Sequence, residues 1–343
     1  MNILLTSAGR RTYLVEYFKQ ALGNDGEVHA SNSVMSPALT VADRYVISPI
    51  IYSDEYIPFL LGYCKKNNIK LLVSLFDIDL PVLAAHKKEF MDIGTLVAVS
   101  DKEVIDFCND KYNMSYKLWK SGIRCPECAV SISDALLKID AMSMHYPLII
   151  KPRYGMGSIS INKVYDKSQL KAVYAICNRD IEESYLKYES AHCMKEAVLI
   201  QECAEGAEYG MDVINDFKGK YINTIVRRKA AMRAGETDEA IILGEKDPEY
   251  EVLSELGRSI SKAFSHIGNM DVDVIMSMDN MRPYVIDMNA RFGGGYPFSH
   301  LAGADLPKAY IEMAEGKPAD KNLCSAKAGV HGYKDITMFR YKD

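Results

Sequence analysis

Along residues 271–275 polar and β-branched positions alternate, Asp-Val-Asp-Val-Ile, which puts Asp271 and Asp273 on one face of a strand. Residues 278–281 carry turn chemistry, and 284–289 read as the return strand, with Asp287 and Asn289 two apart and so on a common face. The pattern predicts a β-hairpin with one acidic face. Upstream, the runs at 2–6, 27–30, 44–48, 71–75 and 96–99 read as strands, and helical patterns cover 12–22 and 54–67. That alternation predicts a doubly wound, Rossmann-like lobe.

A helical connector over 100–122 leads to an apolar strand at 146–150 that delivers Lys151. A Gly-x-Gly-Ser turn follows, then a second strand over 158–164 and two helices within 166–195, one ending near Asn178-Arg179-Asp180. Residues 197–213 read as strand, turn, strand. A strand at 221–226 runs out into Arg227-Arg228-Lys229, a loop occupies 233–237, and 240–243 is another strand. An amphipathic helix over 250–267 enters the hairpin, and the tail after His300 holds a helix and edge strands.

Asp273, Asp287 and Asn289 offer only hard oxygen, the donor set that suits Mg²⁺. A solvated edge hairpin would use the same residues. Gly293-Gly294-Gly295 favours the first reading, because three glycines after a strand are costly unless backbone must approach something closely. Arg291 precedes them, where a fixed cation can meet a phosphoryl group. Lys151, with backbone amides freed by glycine, can cradle phosphate, although the spacing is not that of a Walker loop. The loop Ser7-Ala8-Gly9-Arg10-Arg11 has one glycine and so no dinucleotide fingerprint, which speaks against a Rossmann dehydrogenase. Asp77 and Asp79 follow a strand's carboxyl end, a place for ligand contacts, though such residues more often cap the next helix. Cys125-Pro126-Glu127-Cys128 leads into a strand and has no second pair, which argues against zinc or redox chemistry. Arg227, Arg228, Glu236 and Tyr296 are candidates for a substrate pocket.

The stretch from Asp287 to Gly295 resembles the E-x-N-P-R-x-G-G signature of ATP-grasp enzymes, in particular those like the carbamoyl-phosphate-synthase large subunit. Asp287 stands where glutamate is usual and Ala290 where proline is usual. Lys151 to Ser158 is similar to the family's K-P-x-x-G-x-G-S loop, Gly122 to Pro126 to its G-I-x-x-P entry, and residues 200–212 to its hinge. The motifs occur in the family's order. The resemblance implies an α/β (α+β) ATP-grasp fold. A Rossmann-like pre-ATP-grasp domain would cover 1–105, the connector and lid subdomain 106–200, and a C-terminal metal and nucleotide subdomain 201–343.

It implies ATP and two Mg²⁺ ions, with Mn²⁺ as a substitute. Asp287 would bridge the ions, and Asp273 and Asn289 would complete the protein ligands. Lys111, Lys151, Gly157 and Ser158 would hold the phosphates, and Gln201, Glu202, Cys203 and Ala204 the adenine. Glu208 would take the ribose, and Arg291 would stabilise the transferring group. The implied reaction joins a small carboxylate to an amine through an acyl phosphate, with release of ADP. Two alternatives stay open. One is a carbamoyl-phosphate-synthase-like half enzyme acting on bicarbonate or carbamate with a partner subunit; the other is a non-catalytic ATP-binding sensor.

Composition narrows the partners. A net charge of −5 argues against nucleic acid or an anionic membrane held by bulk electrostatics. No apolar run reaches the length of a membrane span, and the N-terminus lacks a signal peptide's charges and apolar core. Eight scattered cysteines fit reduced thiols. These features predict a cytoplasmic protein, with a homodimer as the commonest assembly for such enzymes.

Overall fold

The structure, a computed structural model, describes residues 1–155, 159–233 and 235–340. Gly157 and Ser158 lie outside the described residues. The first lobe is a parallel sheet of β1 (Asn2–Thr6), β2 (Val28–Asn32), β3 (Arg44–Ile47), β4 (Ile69–Ser74) and β5 (Leu96–Val97), in the order β3-β2-β1-β4-β5. The order reverses between β1 and β4, so their carboxyl ends open the crevice where open α/β sheets take ligands. The helix Thr12–Leu22 packs on this sheet through Leu14, Val15, Phe18 and Leu22.

The second sheet comprises β6 (Cys128–Ala129), β7 (Leu148–Pro152), β8 (Asn162–Val164) and β9 (Val198–Glu202), in the order β6-β9-β7-β8. The strand after Lys151 is shorter than the pattern predicts. The helix Lys167–Glu183 runs straight through Asn178, Arg179 and Asp180, because Cys177 and Ile181 continue its buried stripe.

The third sheet is antiparallel: β10 (Ala207–Asn215), β11 (Tyr221–Arg233), β12 (Glu236–Ile242), β13 (Gly268–Met276), β14 (Pro283–Asn289) and β15 (His331–Tyr333), ordered β14-β13-β10-β11-β12-β15. Arg227, Arg228 and Lys229 lie inside β11 rather than beyond its end, since β10 and β12 pair with it on both sides. One face of this sheet is apolar: Tyr209, Met211, Val213, Val272 and Val274 pack with Leu253, Leu256 and Ile260 of the helix Pro248–Phe264. The tail forms the helices Tyr296–Leu301 and Leu306–Ala314 and a single edge strand, β15; residues 334–340 are irregular.

The cores are shared unequally. Leu4, Leu72 and Leu83 of the first lobe join Met211, Val272 and Met288 of the third sheet in one cluster. Leu5, Phe18 and Val73 join Phe292, Tyr296 and Tyr310 in another. The second sheet instead has a core of its own, running from Ala129 to Ile200.

His266 closes the turn before β13, fully buried, its Nε2 3.0 Å from the Val213 carbonyl. Burial pulls its pKa down to about 4, against a hydrogen bond that pulls it up. The unfolded chain therefore binds more protons between about pH 4 and 6.5, and this residue's contribution to stability grows as pH rises through that window. We expect His266→Asn to lose less stability than the parent between pH 7 and pH 5, by roughly 2 kcal/mol. Denaturant melts at both pH values measure this, and parallel slopes would contradict it.

Candidate functional site

The face of the third sheet opposite its apolar one carries charge on every second residue. Asp273 pairs with Asp287 across β13 and β14, and Asp271 with Asn289. Glu208, Gly210 and Asp212 of β10 and Arg227 and Lys229 of β11 share this face by strand alternation. The predicted hairpin is present, with its acidic residues in register. Asp271 belongs to the same set, although the sequence reading left it without a role.

Asp110 brings the basic residues to this face. It caps the helix Lys111–Lys120, accepting from the Tyr112 and Asn113 amides, and takes Arg153 with two bonds of 2.7 and 2.8 Å and the Tyr154 hydroxyl at 2.7 Å. This bidentate pair fixes the end of β7 against the start of the helix. Lys111 Nζ then lies 3.2 Å from Asp287 Oδ1 and donates to the Gly155 carbonyl at 2.8 Å. Lys151, 7 % exposed, reaches the Ile286 carbonyl at 3.5 Å.

Burial opposes ionisation of Asp287, but Lys111 and Lys151 outweigh it and hold the carboxyl below the usual carboxylate range. Lys151 is shifted down, by burial first and by Lys111 in addition, with Asp287 opposing. Two lysines thus converge on one carboxylate, which leaves positive charge for an anion to satisfy.

A small cavity beside them is lined by Asp77, Asn109, Lys111, Gly155, Glu189 and Asn289. Asp287 Oδ1 is buried without an aligned hydrogen bond. Lys111 is the charged neighbour of that oxygen, and with Asn289 and Asp273 nearby the hard oxygens of this face fit a divalent cation shared with phosphate oxygens. Among the described residues no three His, Cys, Asp or Glu side chains converge as a metal cage. Lys229 sits 2.7 Å from Asp273. The donor set therefore suits an ion that takes most of its ligands from elsewhere.

Arg291 is buried and held by Asp77, with Asp77 Oδ2 2.8 Å from Nε and 2.6 Å from Nη2. Asp77 thereby holds the segment just beyond β14, and its side chain does not cap the following helix. Asp79 does something else: it is fully buried and accepts from Thr6, Ser7, Tyr56 and Ser74, knotting β1 to β4. The glycine run has a steric reason. A Cβ on Gly293 would stand 2.0 Å from the Asp271 carboxyl carbon, and one on Gly295 2.7 Å from the Arg227 guanidinium.

Other predicted residues are dispersed. Gln201 shares the Lys151 face of the second sheet and donates to Cys128 Sγ at 3.4 Å. Glu202 turns to the opposite face, where the His145 amide reaches it at 2.9 Å. The Cys203 amide is already bonded to the Pro147 carbonyl at 3.1 Å, while no backbone bond is recorded for the Ala204 amide among the described residues. Glu208 is half exposed, 4.0 Å from Lys229.

The pocket candidates need correction. Arg227 is fully buried and saturated by Asp212, Ser299 and Asp271. Arg228 points to the helix side of the sheet with Tyr209. Tyr296 is buried, its hydroxyl donating to the Ala304 carbonyl and accepting from the Leu306 amide. Of the four, Glu236 alone is exposed, at 77 % of its side chain.

Three layers of sheet, with phosphate-type lysines between the second and third, define an ATP-grasp fold. Residues 144–297 match the ATP-grasp domain, and residues 3–98 the PylC-like, N-terminal domain. The chain carries an ATP-grasp domain and resembles carbamoyl phosphate synthase large chains. That of Methanoregula boonei is 22% identical over 346 residues, covering 95% of this chain and 30% of its own. The chain therefore spans about a third of that relative's length. Among solved structures, the biotin carboxylase domain of Hydrogenobacter thermophilus 2-oxoglutarate carboxylase, in complex with MgADP and bicarbonate, superposes with a TM-score of 0.73 at 17% identity, over 94% of this chain and 72% of that one. An L-amino acid ligase from Bacillus licheniformis gives 0.68 at 16%, over 95% and 77%. Among the described residues no helix is long and apolar enough to cross a membrane.

Removing the Arg227 guanidinium would strand buried Asp212 beside half-paired Asp271. Arg227→Met should cost about 3–5 kcal/mol of unfolding free energy, the range for breaking a buried ion pair from one side. Urea melts measure the loss; a change under about 1 kcal/mol would show that the network carries little stability.

Proposed function

We propose that the protein is an ATP-dependent carboxylate–amine ligase. The observation that carries this reading is the cluster of buried Lys111 and Lys151 with partly buried Asp287, assembled from three separate elements beside Asp273, Asn289 and Arg291. Its lysines suit the phosphates of ATP, and the hard oxygens of Asp287, Asp273 and Asn289 suit a cation bound with them. Mg²⁺ held by Asp287, Asp273 and Asn289 would neutralise charge on the phosphate oxygens.

The chain's own residues would then position the reactants. Lys111 and Lys151 hold the phosphates, and Arg291, steadied by Asp77, faces the group in transfer. The substrate carboxylate attacks the γ-phosphorus, the bond to the β-phosphate oxygen breaks, and ADP leaves with that electron pair. An amine then attacks the acyl carbon, inorganic phosphate departs, and the amine's proton passes to solvent or a base. Residues 186–190 lie over the small cavity through Glu189, which favours exclusion of water from a hydrolysable acyl phosphate.

A second reading follows from the likeness to carbamoyl phosphate synthase large chains, with bicarbonate as the activated acid and a partner subunit completing the site. Mg²⁺-dependent ADP release across amino acids, dipeptides and bicarbonate, with and without an amine, separates the two. Stimulation by a carboxylate–amine pair supports the ligase, and stimulation by bicarbonate alone supports the second reading. If no acid stimulates release while ATP still raises the melting temperature, a nucleotide sensor replaces both.

Asp287→Asn keeps the shape and removes the charge that both lysines address. Its turnover should fall by roughly 10²–10³-fold, the effect of losing one main electrostatic stabiliser. Steady-state ADP release tests this, and near-parental turnover would take the hairpin out of the mechanism.

A further inference from the structure

Two cations beside the glycine run have no use in the reaction as described. Arg11 ends the turn after β1, where Ser7 and Gly9 adopt positive φ and the Arg11 amide donates to the Ala8 carbonyl at 2.9 Å. The turn delivers Arg11 to the crevice between β1 and β4. There Nη1 donates to the Phe292 carbonyl at 2.5 Å, the same oxygen that Arg291 Nη1 reaches at 3.0 Å. Lys334 arrives from the other side. Its amide bonds the Asp238 carbonyl at 2.8 Å, its ammonium passes over Phe298 at 5.7 Å, and Nζ stands 4.0 Å from where a Cβ of Gly294 would be.

Neither cation is neutralised as Arg291 is. Among the described residues Arg11 makes no ion pair, and Lys334 has only Glu236 at 3.8 Å, itself 77 % exposed. Lys334 is 28 % exposed, so it is no free surface lysine. Burial lowers the pKa of both groups, and Arg11 is among the charges that lower Lys334 further. Gathering like charges at a half-buried turn is unfavourable unless an anion completes the set.

We propose that Arg11 and Lys334 form a subsite for a second anionic group on the substrate, so that the activated acid is a dianion rather than a simple monocarboxylate. The subsite rests on the ligase reading above. It places the second anion at the crevice between β1 and β4, next to Arg291 and separate from the Lys111–Asp287–Lys151 cluster. The planar fork of Arg11 can take two oxygens of a carboxylate or phosphate, and Lys334 adds a point charge. The bare glycine at 294 leaves the ligand room to approach the backbone beside Lys334.

The experiment titrates the full chain with malonate and, separately, with inorganic phosphate, following the melting temperature. Arg11→Gln and Lys334→Met are compared with the parent, and Mg²⁺–ATP serves as an independent ligand. Malonate should stabilise the parent, and each variant should need roughly tenfold to a hundredfold more of it, as for a lost charge-assisted hydrogen bond. The same pattern with phosphate, and a weaker one with malonate, supports the subsite and assigns it a phosphorylated acid. If neither anion stabilises the parent, or both variants respond as the parent does, the subsite is overturned. Lys334→Met alters only a side chain on an irregular segment, so it remains informative if Arg11→Gln fails to fold. Loss of stabilisation by Mg²⁺–ATP in the parent would refute the ligase reading instead.

Discussion

The site depends on one partly buried carboxylate, Asp287, paired with Lys111 and within the field of Lys151. Asp287 lies on the third sheet, Lys151 on the second and Lys111 at the head of a helix between them. Lys111 stands 3.2 Å from Asp287, and a pair of unit charges near 4 Å interacts by roughly 4 kcal/mol at the effective dielectric of a protein surface. That attraction holds Asp287 ionised in spite of its burial and keeps both ammonium groups facing the same small volume. One carboxylate cannot balance two lysines, and burial depresses Lys151 besides, with Asp287 opposing and Lys111 adding to the shift. An anion between the sheets relieves it, which is why this arrangement suits a nucleotide's phosphates better than a purely structural ion pair.

Behind that cluster stands a second network whose work is support. Arg227 joins Asp212, Asp271 and Ser299 under the glycine run, and Asn269 Nδ2 adds a bond to Asp212 at 3.0 Å. Asp271 is pushed up to about 6, by burial first and by Asp273 in addition. Its charge at neutral pH therefore depends on Arg227 and Arg291. The glycines at 293 and 295 are small because these buried groups fill the space where a Cβ would sit. The close approach that three glycines after a strand imply is, at 293 and 295, to the protein's own polar network.

Alternation along each strand made the hairpin legible, and with it the common face of Asp273, Asp287 and Asn289. The doubly wound lobe was legible for the same reason, since strand and helix periods differ. Partners distant in sequence were not. Nothing in the local pattern ties Asp77 to Arg291 across 214 positions, or Asp110 to Arg153 across 43. The Asp-Lys pair at 110–111 did carry a signal in its N-cap chemistry, which explains why Lys111 starts a helix. Arg227 and Arg228 misled because basic residues after an apolar run suggest a strand's end. Here the strand continues, and alternation sends one arginine into the polar network and the other to the helix face.

The partition of the cores decides which part of the molecule can yield. The first lobe and the third sheet bury side chains in common, so separating them would expose apolar surface on both. The second sheet keeps its core to itself and meets the rest mainly through polar contacts: Asp110 with Arg153, Lys111 with Gly155, and Tyr52 with Glu189 at 2.8 Å. The buried, bidentate Asp110–Arg153 pair pins the second sheet at one point, whereas an exposed contact such as Tyr52 with Glu189 exchanges readily with water. Lys111 and Asp287 lie on the shared-core side of this boundary and Lys151 on the other. A nucleotide phosphate held by both lysines would therefore close the boundary itself, coupling occupancy of the site to the position of the second sheet.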